Sequence, residues 1–178
     1  DQLVARAERD SLTGLLNSET TRLRIGQQLD ALAGGERGAL LVVDVDCFKD
    51  VNDTHGHLVG DLVLADIARI LRENFRIGDV VGRLGGDEFM VYLDRVGSTD
   101  VVLGKCDRLR RAVERHEYPG TDCRVTISVG VVLAHAGDTF DDLYGRADEA
   151  LYAAKRDGRN RCGLADGALR SPKAAPAP

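Results

Sequence analysis

A chain of 178 residues, 43% of them hydrophobic, holds enough apolar material for one substantial core and lies in the usual size range of a single domain. Its formal net charge of -5 argues against a general nucleic-acid binder, which needs a basic stripe along a run of phosphates. A single nucleotide needs only a few placed cations, a metal or backbone N–H groups, and none of these shows in a charge total.

The four cysteines, Cys47, Cys106, Cys123 and Cys162, stand far apart, without a C-x-x-C pair or a histidine at zinc-finger spacing, and read as reduced, unpaired thiols. No apolar run approaches the length that spans a bilayer, and the N-terminus lacks the order of a signal peptide. The expectation is a cytoplasmic domain with no direct membrane contact, cut from a longer protein whose other parts could be membrane-anchored.

In chain order, residues 1–9 are polar and rich in helix formers, with apolar Leu3, Val4 and Ala7, as at the end of a linker or signalling helix. Residues 10–164 form the domain proper. Within it, Ala39 to Val45 is a short run rich in β-branched residues and predicts a strand buried on both faces. Val59, Val63, Ile67, Ile70 and Leu71 recur at helical spacing, with Asp61, Asp66, Arg69 and Arg72 between them. Val80 to Leu84 and Phe89 to Leu93 flank Gly85-Gly86, a dipeptide that supplies positive φ in a tight turn, and so predict a hairpin.

A second helix follows from Val102, Cys106, Leu109 and Val113, ending before the turn signal Pro119-Gly120. Val125, Ile127, Val129, Val131 and Leu133 then alternate with Thr126, Ser128 and Gly130, the period of a strand. The last helix starts after Thr139, a hydroxyl cap with Asp142 three residues on, and runs through Leu143, Ala147, Ala150, Leu151 and Ala154 to Gly158. Residues 165–178 are expected to be a disordered tail, since Ser171 to Pro178 has Pro and Ala but no large apolar residue. The order β-α-β-β-α-β predicts an α+β fold. It is the ferredoxin-like, palm-type βαββαβ core with an antiparallel sheet, here with extra N- and C-terminal helices.

Asp44 and Asp46 stand two apart at the end of the first strand, on one face of an extended chain. Two readings are open for such a pair: oxygen ligands for a hard cation, or carboxylates that cap and solvate a turn. Asp87 and Glu88 follow the Gly-Gly turn at the start of a strand expected to lie antiparallel beside the first. Acids buried there need a partner and a metal supplies one; an exposed hairpin tip with solvated acids is the other reading.

Five blocks in order carry a resemblance that bears on the choice. Arg83-Leu84-Gly85-Gly86-Asp87-Glu88-Phe89 resembles the R-x-G-G-[D/E]-E-F signature of the GGDEF family of diguanylate cyclases. Asp10 to Asn17 resembles the family's D-x-L-T-G-L-x-N-R, with Ser18 in place of the usual final Arg. Asp44 to Asp53 resembles D-x-D-x-F-K-x-x-N-D, and Gly56 to Asp61 and Ala154 to Asn160 match two further blocks.

The resemblance implies a diguanylate cyclase that condenses two GTP into cyclic di-GMP and two pyrophosphates. Asp44, the main-chain carbonyl of Val45 and Asp87 match the ligands of magnesium or manganese, two ions per site. Asp87 or Glu88 would help deprotonate the ribose 3′-hydroxyl that attacks an α-phosphate. Asn52 and Asp61 match the readers of guanine: a carboxylate accepts from its N1–H and exocyclic amine, and an amide both donates and accepts. Phe48 and His57 match positions beside the substrate. Gly85 and Gly86 would let the backbone approach the nucleotide. Lys49, Lys155 and Arg159 match the triphosphate clamp, the last two at the spacing of one helical turn.

The resemblance also implies an ion pair between Asp10 and Arg83 without a catalytic role, and binding of the product by the R-x-x-D of Arg76 and Asp79 as feedback inhibition. His55 and His57 lack a third zinc-ligand type nearby, and His116 and His135 read as surface residues. One triphosphate site per domain and a product built from two substrates imply a homodimer during turnover, governed by an upstream regulatory domain outside this chain. A catalytically silent module that binds GTP or cyclic di-GMP is the alternative, and a mononucleotide cyclase or polymerase-type palm is a further one.

Overall fold

The computed structural model describes residues 7–122 and 124–165. The expectations for residues 1–6, Cys123 and residues 166–178 lie outside the described residues. Five strands form one sheet: β1 (Arg37–Val45), β2 (Val80–Gly85), β3 (Glu88–Leu93), β4 (Ile127–His135) and β5 (Cys162–Leu164). The helices are α1 (Ser18–Asp30), α2 (Phe48–His55), α3 (His57–Asn74), α4 (Thr99–Arg115) and α5 (Phe140–Arg156).

The sheet order is β2-β3-β1-β4-β5. β1 lies at the centre, antiparallel to both β3 and β4, with Asp44 opposite Glu88 on one side and Ser128 on the other. The expected βαββαβ core is therefore present. β5 adds a parallel edge beside β4, too short to have been read from its three residues.

β1 is buried on both faces because alternate residues serve two clusters. Ala39, Leu41, Val43 and Val45 pack with Val63 and Ile67 of α3 and Val102 and Leu109 of α4. Leu40 and Val42 join Ile25 and Leu29 of α1 and Leu143, Ala147 and Leu151 of α5. Asp44 follows Leu40 and Val42 in this alternation and so faces the α5 side at the strand's end, where the core gives way to polar groups.

The helix caps follow their sequence signals. The Asn17 side chain accepts from the Thr20 N–H of α1, Ser98 from Val101 of α4, and Thr139 from Asp142 of α5. Several boundaries differ from expectation, among them the start of β4 at Ile127 rather than Val125. The segment after β1 forms a separate short helix, α2, which ends at Gly56 (φ 86°) before α3 begins. The last helix stops at Arg156 rather than running to Gly158.

α5 approaches β4 closely at Gly130. A Cβ there would collide with the Ala147 carbonyl and lie 2.6 Å from the Leu151 nitrogen, so only glycine lets helix backbone and strand touch. Gly130→Ala is expected to destabilise the protein by about 2 kcal/mol through this overpacking, measured as a lowered urea midpoint. An unchanged midpoint would contradict the tight approach.

Candidate active site

The site forms where the end of β1 meets the start of β3. Register places Asp44 beside Glu88, and the Val45 N–H donates to the Asp87 carbonyl at 3.2 Å. Gly85 (φ 143°) and Gly86 (φ 50°) make the expected tight turn between β2 and β3, and a Cβ on either would meet no atom within 4 Å. The turn thus presents open backbone. Arg83 secures it: its guanidinium donates to the Gly86 carbonyl at 2.7 Å and to both Asp10 oxygens at 3.1 Å, the expected ion pair. Burial pushes the Asp10 carboxyl up, but the Thr13 and Arg83 donors outweigh it and leave it below the usual range.

Asp44 accepts from the Lys155 ammonium of α5 through Oδ2. Its Oδ1 is buried with no hydrogen-bond partner. Asp87 lies against Asp44. Burial first, then the Asp44 charge and the close contact between the two carboxyls, push the Asp87 carboxyl from 3.8 up to about 6, with Lys155 opposing. Burial also raises Glu88. The Tyr144 hydroxyl counters by donating to Glu88 Oε1 at 2.8 Å, while Asp44 and Asp148 add to the rise.

An orphaned buried oxygen and a carboxylate held above its ordinary pKa by burial and by a neighbouring carboxylate are the marks of a site short of positive charge. The two carboxylates there are oxygen donors, which suit magnesium or manganese. Among the described residues no three His, Cys, Asp or Glu side chains converge as a metal cage. An ion held here would complete its shell with water and substrate oxygens, the usual habit of magnesium.

Asp46 has a different job. Its oxygens accept from Thr126 Oγ1 at 2.7 Å, Ser128 Oγ at 2.6 Å and the Asn160 N–H at 2.9 Å. It therefore ties β1 to β4 and to the loop after α5. That loop carries Arg159 and Asn160 at positive φ (63° and 47°), an uncommon state for side-chain-bearing residues. Asn160 holds it in place, accepting from Arg110 at 3.0 Å and donating to Glu114 at 3.1 Å. Lys155 and Arg159 consequently do not share a helical turn, as their spacing suggested. Lys155 sits in the last turn of α5 and Arg159 projects from the loop beyond it.

α2 and α3 carry five further residues that the sequence resemblance singled out. Phe48 packs on the core at the start of α2. A Cβ at Gly60 would strike the Asn52 amide and lie 3.2 Å from the Phe48 ring, so glycine lets α3 close on both side chains. Asn52 Oδ1 is a second buried oxygen without a partner. Lys49, His57 and Asp61 are exposed on these helices.

Arg76 and Asp79 sit at the opposite end of β2 from the Gly-Gly turn. The Asp79 side chain is fully buried and takes the Arg76 N–H at 3.2 Å and Nε at 3.3 Å, while Arg76 also donates to the Asp94 carbonyl at 2.6 Å. Beside them lies a hollow of about 380 Å³ lined in part by Arg9, Arg24 and Arg72.

Three contacts escaped the sequence reading. Tyr144 and Asp148 sit one and two turns along α5 and act on Glu88 from the face on which that helix packs. Asn160 lies inside a matched block without an assigned part. His116, read as a surface residue, is half-buried: Nε2 meets Asp66 at 2.7 Å and its ring stacks edge-on against Tyr118. His135 is exposed as expected.

The Asp44–Asp87 repulsion has a thermodynamic sign. With the carboxyl raised from 3.8 to about 6, the folded state binds more protons than the unfolded one between those values, so this group's contribution to stability falls as pH rises through that window. Without divalent ions, Asp87→Asn is expected to melt a few degrees above the wild type at pH 7.5, with the gap closing toward pH 4. Equal melting temperatures at both pH values would contradict it.

The sequence profile described as "Diguanylate cyclase, GGDEF domain" matches residues 7–161. The chain is 40% identical over 162 residues to diguanylate cyclase DgcM of Escherichia coli K12, and 39% identical over 139 residues to diguanylate cyclase A of Treponema denticola. These matches cover 90% and 76% of this chain, but only 39% and 37% of the two relatives. Among solved structures, the coiled coil and GGDEF domain of DgcB from Caulobacter crescentus in complex with c-di-GMP superposes with a TM-score of 0.84 at 31% identity, covering 92% of this chain and 88% of that one. Diguanylate cyclase SiaD of Pseudomonas aeruginosa, in complex with its activator SiaC, gives 0.83 at 37% identity over 93% and 65%. Signature residues, fold and sequence profile agree, and the chain belongs to the GGDEF family of diguanylate cyclase domains.

Proposed function

We propose that this domain is an active diguanylate cyclase that joins two GTP into cyclic di-GMP with release of two pyrophosphates. The observation that carries the proposal is the Asp44–Asp87 pair, two carboxylates packed together with one oxygen left unpartnered beside Lys155. Asp44, Asp87 and the Val45 carbonyl would hold divalent ions, magnesium or manganese, two per site by family resemblance. When bound, they supply charge stabilisation on phosphate oxygens.

The chain's own residues do the rest. Asn52 and Asp61 take the guanine edge, with Phe48 and His57 beside the nucleotide, and Lys49, Lys155 and Arg159 bind the triphosphate. Asp87 or Glu88 accepts the proton of the ribose 3′-hydroxyl as its oxygen bonds to the α-phosphorus of the partner nucleotide. The bond from that phosphorus to the pyrophosphate oxygen breaks, and Gly85 and Gly86 leave the approach open. Two such transfers close the ring. Each domain offers one such site, so two chains must face each other during turnover, under the control of an upstream domain. The R-x-x-D of Arg76 and Asp79 would bind the product and restrain the enzyme, exchanging the Arg76–Asp79 pairing for contacts to phosphate and guanine.

Incubation with GTP and magnesium, with products identified by mass, separates the possibilities. The expected product is the cyclic dimer, formed in preference to any ATP-derived product. Asp87→Asn should lower kcat by about a hundredfold or more, and Arg76→Ala should blunt inhibition by added cyclic di-GMP. A cyclic monomer would point to a mononucleotide cyclase, and tight GTP or cyclic di-GMP binding without turnover to a silent module. Either would overturn the proposal.

A further inference from the structure

Glu88 is a long, flexible side chain at the mouth of a charged site, and a carboxylate left to its own rotamers would spend little time in any one direction. It is not left so. Tyr144 of α5 donates its hydroxyl to Glu88 Oε1 at 2.8 Å. The tyrosine ring is itself fixed, stacked on Phe140 with centroids 5.9 Å apart and planes 16° from parallel. Arg22 of α1 lies over both rings, its guanidinium 5.0 Å from the Phe140 centroid and 5.7 Å from that of Tyr144. A cation over the ring face adds to the packing that holds the ring.

We propose that Tyr144 is a positioning residue for the reaction: it pins one carboxylate oxygen of Glu88 and so fixes the direction in which the other is presented to the nucleotide. The inference rests on the cyclase reading and deepens it, because it names what holds one of the two acids that could take the ribose proton. Helix α5 then serves the site twice. Lys155 at its C-terminal end holds Asp44, and Tyr144 near its N-terminal end holds Glu88. Because Asp44 and Glu88 face each other across β1 and β3, one helix sets the aim of both. Positioning of this kind acts on the transition state more than on substrate binding.

The test is a double-mutant cycle with Tyr144→Phe and Glu88→Ala. Phenylalanine keeps the ring against Phe140 and Arg22 and removes only the hydroxyl. With GTP and magnesium, Tyr144→Phe is expected to lower kcat about tenfold, the scale of a hydrogen bond to a charged group, and to leave KM within about twofold. In the Glu88→Ala background the same change should cost nothing further. A kcat within twofold of the wild type, or an equal loss in both backgrounds, would overturn the role.

Urea unfolding of the same four proteins gives a readout free of activity, in which the hydroxyl and Glu88 should be coupled. Additive midpoints would overturn the contact itself. A wild type that makes no cyclic dimer while the unfolding cycle shows coupling would defeat the cyclase reading and not the hold of Tyr144 on Glu88.

Discussion

The structure around the site turns on the juxtaposition of Asp44 and Asp87, two carboxylates that would repel each other wherever the chain was free to separate them. The fold does not permit that. Asp44 is the last residue but one of the central strand and Asp87 leads into its neighbour, and the hydrogen bond from the Val45 N–H to the Asp87 carbonyl locks the two backbones together. Lys155 balances part of the negative charge. The remainder appears as the raised Asp87 carboxyl and the orphaned Asp44 oxygen. Such unrelieved charge is tolerated at functional sites because the surrounding structure over-determines it.

What over-determines it is the double role of β1. Its alternate residues feed two separate cores, so the strand cannot slip without exposing one of them. Asp46 adds a polar lock, drawing β4 and the loop after α5 onto the end of the strand. The strained Arg159 and Asn160 backbone is held by the same lock from one side and by Arg110 and Glu114 from the other. Stability of the core and placement of Lys155 and Arg159 are therefore one problem, solved by the same few contacts.

Much of this was legible in the sequence, because β1, β4, α3, α4 and α5 announce themselves through clear periods and caps. α2 was not, since its eight residues bury only Val51 and leave no apolar repeat to read. β5 is three residues long and pairs only because the preceding loop delivers it to β4. The spacing of Lys155 and Arg159 suggested one helical turn, but the helix stops at Arg156 and the chain turns through Gly158 (φ 121°) before it reaches Arg159. The Tyr144–Glu88 contact joins residues 56 apart in sequence and exists only once the helix has packed on the sheet. The acids themselves were found by their position at strand ends, and the resemblance supplied the choice between a metal site and a solvated turn.

The central claim is that Asp44 and Asp87 share a divalent ion with the phosphates of a nucleotide. Manganese binding followed by electron paramagnetic resonance, in the presence of a non-hydrolysable GTP analogue, tests it most directly. The account predicts a bound manganese signal in the wild type that is lost in both Asp44→Asn and Asp87→Asn, each still folded by circular dichroism. Undiminished manganese binding in both variants would contradict it.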